Sequence, residues 1–461
     1  MLANHCALLS LTMTKLRLDT PRSQLMASSR GSCINTSRRA LEVRKLLHLS
    51  WRGILFALAK SPVFLAPLLA ATILSQAAYG RVEWWLAISL SLGPMANMGA
   101  AGVVAYGTIG RKLQRHLRTA TIFTLLIAMS LFVFALAVRF FNESWEEASY
   151  GLIALQCALI CLQTTLSSRL KGLGKGAWAS AVESSLYISL LFALLAVEIR
   201  LEFFSTYAFT LIFLGSILTT GLIRVTPLPD FSRWLRRNYR SFFDIGFRFM
   251  AGSALMGVFM AAPRVLLGIW STPERVAEFS LAFRWLSVAI LIHQFINTMF
   301  FRTVFGNIET RKREQLLTFS VSLVGLGAVA AAGFIKIAPQ VHSNIPVPED
   351  FGLLVPIGLG IIFWAVTACF EGCLHRLAAS AKQTRSVALG CTTLLAISGV
   401  CAAIGLDAVY SIAYAWIIGL AAIIGSQYMS LRALGEHFPL LIFFLLISCA
   451  ISIGSVLLSS F

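Results

Sequence analysis

Tyr150–Gln163 reads YGLIALQCALICLQ, and Phe351–Trp364 reads FGLLVPIGLGIIFW. Each opens on an aromatic residue, a glycine and a leucine and runs on into an apolar stretch, and the two starts lie 201 residues apart. Working outward, two more pairs align at nearly the same offset. AYGRVEWWLAIS at Ala78 meets EFSLAFRWLSVA at Glu278, with Trp85 over Trp285, and RKLQRHL at Arg111 meets RKREQLL at Arg311. Apolar segments align easily by chance, so one match alone carries little. Three matches at a near-constant offset indicate that the chain repeats itself.

Composition says what is repeated. Of 461 residues, 57% are hydrophobic and 13% are charged, against about 25% charged in soluble domains. A soluble fold of this size has no place for so much apolar surface, so the surplus faces lipid. Apolar runs of membrane-spanning length fall near 53–74, 84–107, 119–138, 150–168, 177–197, 206–223, 243–270, 279–301, 316–337, 352–372, 386–405, 410–430 and 439–459. Only helices satisfy their own backbone in hydrocarbon without closing into a barrel, and these runs lack a barrel's strand alternation. The fold class is therefore all-α, a polytopic membrane protein of about 12–13 transmembrane helices. Each aligned pair holds the same place in the order of spans, which gives six spans per unit. An even number makes both units enter the membrane from one side, a parallel repeat.

The loops fix orientation. RKLQRHLR (111–118), RLKGLGK (169–175), 224–240, 302–314, HRLAASAKQTR (375–385) and Arg432 together hold 20 Lys and Arg. The alternate loops, among them NESWEEAS (142–149), STPERVAE (271–278) and VHSNIPVPED (341–350), hold most of the acids. The positive-inside rule places the first set, and the N-terminus, in the cytoplasm. It also absorbs most of the net charge of +18, so nucleic acid is not expected as a partner. The organisation that follows is a basic arm over 1–50, a first lobe over 51–223, a basic linker over 224–241, a second lobe over 242–430 and an accessory helix over 438–461. RWLRRNYR in the linker suits either the anionic leaflet surface or a solvated loop.

Few functional motifs are present. The nine cysteines include the i, i+4 pairs Cys157/Cys161 and Cys369/Cys373, but buried Cys is commonly a small hydrophobe, and no metal site is expected at either pair. GLGKG at Gly172 is too short for a phosphate-binding loop. Neither a catalytic residue, a metal nor a cofactor is expected, and the chain does not read as an enzyme.

Charges inside the spans carry the functional signal. Lys60, Arg248, Arg264 and Arg284 each fall in an apolar run, where a cation costs roughly 2.5–3.5 kcal/mol on insertion scales. With His293 they outline a cationic track suited to an anionic cargo, because Arg grips phosphate bidentately and Lys acts as a point charge. Arg248 and Arg284 lie near span ends and equally suit snorkelling to water. Asp244 suits an i, i+4 pair with Arg248, and Pro263 beside Arg264 predicts a kink. His293 stands alone on an apolar face, where a histidine is more often a packed, satisfied side chain than a proton relay. Glu183 and Glu371 fit either cation coupling or structural ion pairs with neighbouring helices.

LAPLLAATILSQAAYGRVEWWLAISLSLGPMANMGAAG (65–102) resembles the opening of bacterial polysaccharide exporters. These are the O-antigen and exopolysaccharide flippases of the multidrug/oligosaccharidyl-lipid/polysaccharide (MOP) superfamily. STPERVAEFSLAFRWLS (271–287) is similar to the corresponding turn of their second half, and the resemblance covers about 48–430. It implies two six-helix lobes in a MATE-like V around a solvated cationic cavity, in the bacterial inner membrane. It implies a polyprenyl-pyrophosphate-linked oligosaccharide as cargo, membrane lipids as surroundings, and a polysaccharide polymerase and other assembly proteins as partners. The competing expectations are a MATE-type multidrug or organic-cation antiporter and a membrane-embedded glycan polymerase or ligase. A thirteenth span departs from the common counts of twelve and fourteen.

Overall fold

The computed structural model describes residues 51, 53–109, 114–144, 147–197, 200–226, 240–296, 309–341, 345–377 and 379–447. The arm at 1–50, the linker over 227–239, the end of the thirteenth run at 448–461 and the side chains of Asp244 and Arg248 lie outside the described residues. The described residues from Leu55 onward form one compact unit. Among the described residues there is no strand.

The first half comprises α1 (Gly53–Ile73), α2 (Gln76–Ala96), α3 (Ala100–Ile109), α4 (Gln114–Phe140), α5 (Ser149–Gly172), α6 (Gly176–Glu183), α7 (Ser185–Val197) and α8 (Phe203–Val225). The second comprises α9 (Arg240–Trp270), α10 (Pro273–Ser287), α11 (Ile290–Ile296), α12 (Thr310–Val341), α13 (Leu354–Arg376), α14 (Ser380–Ala403) and α15 (Ala408–Arg432). Residues 439–447 are helical. Among the described residues, nine helices are long and apolar enough to cross a membrane, or up to eleven when the bent pairs α6/α7 (52°) and α10/α11 (43°) count as one span each.

Burial explains why YGLIA and FGLLV recur. They open α5 and the turn into α13, and the apolar windows of those spans are 89% and 78% buried in protein. The spans around them, α1, α4, α8, α12 and α14, are 28–33% buried and keep large apolar side chains on their outer faces. Each half thus has one span enclosed by protein and others that keep apolar side chains exposed. Two hydrophobic cores correspond to this: one drawn from residues 66–222 with Ala277, the other from residues 256–445.

The second span differs from its sequence expectation. It was expected to start at residue 84, but helix α2 starts at Gln76, where the Ser75 side chain accepts from the Ala78 N–H at 3.3 Å. Gln76, Arg81 and Glu83 lower the hydropathy of this segment, yet it is shielded by protein and needs no apolar face toward lipid. The span also breaks at 97–99, where Met98 and Gly99 take φ of 46° and 73°. Asn97 closes the break: its amide donates to Thr165 Oγ1 at 2.9 Å, and its carbonyl accepts from Thr124 at 2.8 Å. The seventh span runs through Pro263 as one helix, α9.

Candidate functional site

The polar start of α2 lies against the second half. Gly80 lets it approach the first turn of α10; a Cβ there would sit 1.8 Å from the Pro273 carbonyl oxygen. Gly268 of α9 makes room for the Trp84 ring, which a Cβ would meet at 2.2 Å, and the Trp84 indole N–H donates to the Val265 carbonyl at 3.3 Å. At the far end of the same span, Gly99 lies against the Gly246 carbonyl of α9. Glycine at Gly80 and Gly99 lets backbones touch, as in other membrane helix pairs.

Between these contacts sits Glu83, which is 0% exposed. Its Oε1 accepts from Arg284 Nε at 3.0 Å and its Oε2 from Arg284 Nη2 at 3.0 Å, a two-point fork. Oε2 also accepts from Arg264 Nη1 at 2.9 Å. One carboxylate of the first half thus holds two arginines of the second, both buried, with one formal positive charge in excess. Two rings disperse that charge: the Arg284 guanidinium lies 5.2 Å from the Tyr187 ring centroid, and that of Arg264 lies 5.3 Å from Phe283. Arg284 also donates to the Tyr187 hydroxyl at 3.4 Å. In low dielectric such an arrangement persists only when every member is paired.

A pocket of about 230 Å³ opens beside this cluster at the acidic end of the bundle, lined by Gln76, Tyr79, Ala277, Glu278 and Glu349 among others. Tyr79 stands one helical turn from Glu83 and connects the pocket to the ion cluster.

The other candidate residues lie elsewhere. Lys60 donates to Glu183 at 2.7 Å, and Glu183 also accepts from Lys171 and, at 2.7 Å, from Ser167. These contacts tie α1 to the bend between α6 and α7. His293 is buried in the second half, with Nδ1 3.2 Å from Ser320 Oγ and its ring edge-on to Trp364. Glu371 is half-buried in α13. Arg264 and Arg284 converge on one acceptor, whereas Lys60 is held by its own acid.

Glu83 is the residue that sequence reasoning missed. It lies one position before the expected start of its span and so did not count as an intramembrane charge. The available signal was its place inside the repeated segment AYGRVEWWLAIS. A second unread cluster joins Arg313, fully buried, and Arg376 to Glu436 at 2.8–3.0 Å. Beside it, Glu314 caps residues 439–447 by accepting from the Leu440 N–H at 2.6 Å. Among the described residues, no group of three or more His, Cys, Asp or Glu could hold a metal ion.

No protein-family model matches the chain, and no curated protein sequence matches it. Solved structures do. A MATE-family multidrug resistance transporter of the MOP superfamily in an inward-facing conformation matches with a TM-score of 0.60 at 14% identity, over 83% of this chain and 96% of that one. The lipid II flippase MurJ in an inward closed conformation matches at 0.55 and 12% identity, over 89% and 92%. A MOP superfamily transporter from Pyrococcus furiosus, in which reverse polarity of the binding pocket suggests a different function, matches at 0.58 and 14%, over 83% and 95%. The chain is a polytopic membrane protein with the fold of MOP superfamily transporters and flippases.

Proposed function

We propose that the protein is a flippase that moves a polyprenyl-pyrophosphate-linked oligosaccharide from the cytoplasmic to the periplasmic leaflet of the bacterial inner membrane by alternating access. The N-terminus and the basic loops face the cytoplasm, as the distribution of Lys and Arg supports. The observation that carries the reading is the cluster itself: two arginines from α9 and α10 converge where the halves meet, with only one carboxylate between them. The pyrophosphate that joins the lipid to the oligosaccharide fits such a centre. The likeness to a lipid II flippase supports a lipid-linked cargo on this fold. A polysaccharide polymerase is the natural recipient of the product.

The second reading, an organic-cation antiporter, draws on the likeness to MATE transporters. Such a cargo needs a seam acid free to receive it, and Glu83 is already held by two cations. The transporter with reversed pocket polarity illustrates that this fold carries more than one charge preference.

Complementation of a deletion strain separates the readings. With wild-type protein, surface polysaccharide is restored; with Arg264→Ala or Arg284→Ala at equal membrane abundance, it falls. Undiminished polysaccharide in both variants, or a deletion strain sensitised to cationic drugs with its glycan intact, overturns the proposal.

A further inference from the structure

Glu83 does to Arg284 and Arg264 what a phosphoryl group would do. Its two oxygens take the Nε and Nη2 donors of Arg284 at 3.0 Å, and one of them also takes Arg264 Nη1 at 2.9 Å. All three side chains are buried. This is the bidentate geometry by which guanidinium groups hold phosphate. The carboxylate comes from one half and both cations from the other, so the same hydrogen bonds that satisfy the charges also hold α2 against α9 and α10.

We infer that Glu83 is a built-in stand-in for the anionic group of the cargo, and that displacing it unfastens the acidic-end seam between the halves. This rests on the flippase reading for the identity of the cargo, but the exchange is a property of the three residues. A pyrophosphate carries more charge and more acceptor oxygens than a carboxylate, so it satisfies both arginines and their excess positive charge together. Once displaced, Glu83 loses its partners in a dry site, which is unfavourable unless water reaches it. Tyr79, one turn away, borders the pocket from which that water comes. Binding of the anion and parting of α2 from α10 are then one event, and a cargo without the anionic group leaves the seam shut.

Ala277 reports on this. It is 3% exposed, lies on α10 against the core of the first half and lines the pocket. The experiment uses full-length Ala277→Cys protein without native cysteines, in phosphatidylcholine nanodiscs, and measures the labelling rate with an impermeant maleimide. Slow labelling is expected, accelerated about tenfold by inorganic pyrophosphate, within the usual range of coupling between sites. Glu83→Gln is expected to label fast without pyrophosphate and to gain nothing from it. If Glu83→Gln does not fold, Glu83→Gln with Arg264→Gln keeps the formal charge of the trio and is expected to behave the same way. An unchanged wild-type rate with pyrophosphate, or slow labelling of the folded Glu83 variants, overturns the inference. Acceleration by added anionic phospholipid with none by pyrophosphate overturns it as well. Pyrophosphate-driven labelling through Glu83 in a protein that restores no surface glycan supports the exchange and removes only the cargo assignment.

Discussion

Glu83 and Arg284 stand 201 residues apart, the offset that relates Tyr150 to Phe351, and they form a two-point ion pair between the halves. Opposite charges thus lie in the two aligned segments of an internal repeat, one position out of register, and meet where its units join.

Loss of Glu83 leaves two buried arginines without their acceptor. Glu83→Ala is expected to cost about 3–5 kcal/mol and to lower the unfolding temperature in detergent sharply. Replacing Glu83, Arg264 and Arg284 together by apolar residues of similar size is expected to restore the unfolding temperature and to abolish transport.

The seam glycines differ in tolerance. At Gly80 a methyl group meets backbone, the Pro273 carbonyl; at Gly268 it meets the Trp84 ring, a side chain that can turn. Gly80→Ala is expected to cost about 1–3 kcal/mol, in the overpacking range, and Gly268→Ala less. Unfolding midpoints of the two variants in one detergent check the order.

At the other end of the first half, Glu183 receives two lysines. Lys60→Met leaves it Lys171 and Ser167, whereas Glu183→Leu strands Lys60, whose side chain is 12% exposed. The expected losses are about 1 kcal/mol for Lys60→Met and about 3 kcal/mol for Glu183→Leu, read from the same unfolding midpoints.

The docking of residues 439–447 is expected to depend on pH. Burial pushes the Glu436 carboxyl up, but Arg376 and Arg313 outweigh it and hold it below the usual carboxylate range. A lowered folded value stabilises the docked state above the unfolded pKa, about 4.3, and the benefit is lost as pH falls through the folded value. Proteolysis of this helix by an acid-active protease is therefore expected to stay slow at pH 5 and to rise steeply in stronger acid. Glu436→Gln is expected to be cut readily at every pH.

Much of this was legible in the chain. Span positions follow from hydropathy, and the recurrence of YGLIA as FGLLV marks the enclosed span of each half, because a helix buried on all sides keeps the same small-and-apolar character in both. Arg264 and Arg284 stood out because cations are costly in hydrocarbon. Glu83 did not, since the helix around it trades lipid contact for protein contact and so lacks a continuous apolar run. Nor does any local pattern tell Arg284 that its acceptor lies 201 residues upstream. That Lys60 answers to Glu183 was equally hidden, 123 residues away.

The distance between Glu83 and Arg284 also sets a clock. At about 5–20 residues per second of synthesis, Glu83 is made roughly 10–40 s before Arg284 exists. During that interval the newborn α2 carries a lone acid at membrane depth, and the ribosome has yet to deliver what neutralises it. The first half is therefore an unfinished object on its own: produced as a separate fragment it is expected to be degraded, and to be rescued when the second half is supplied from another gene.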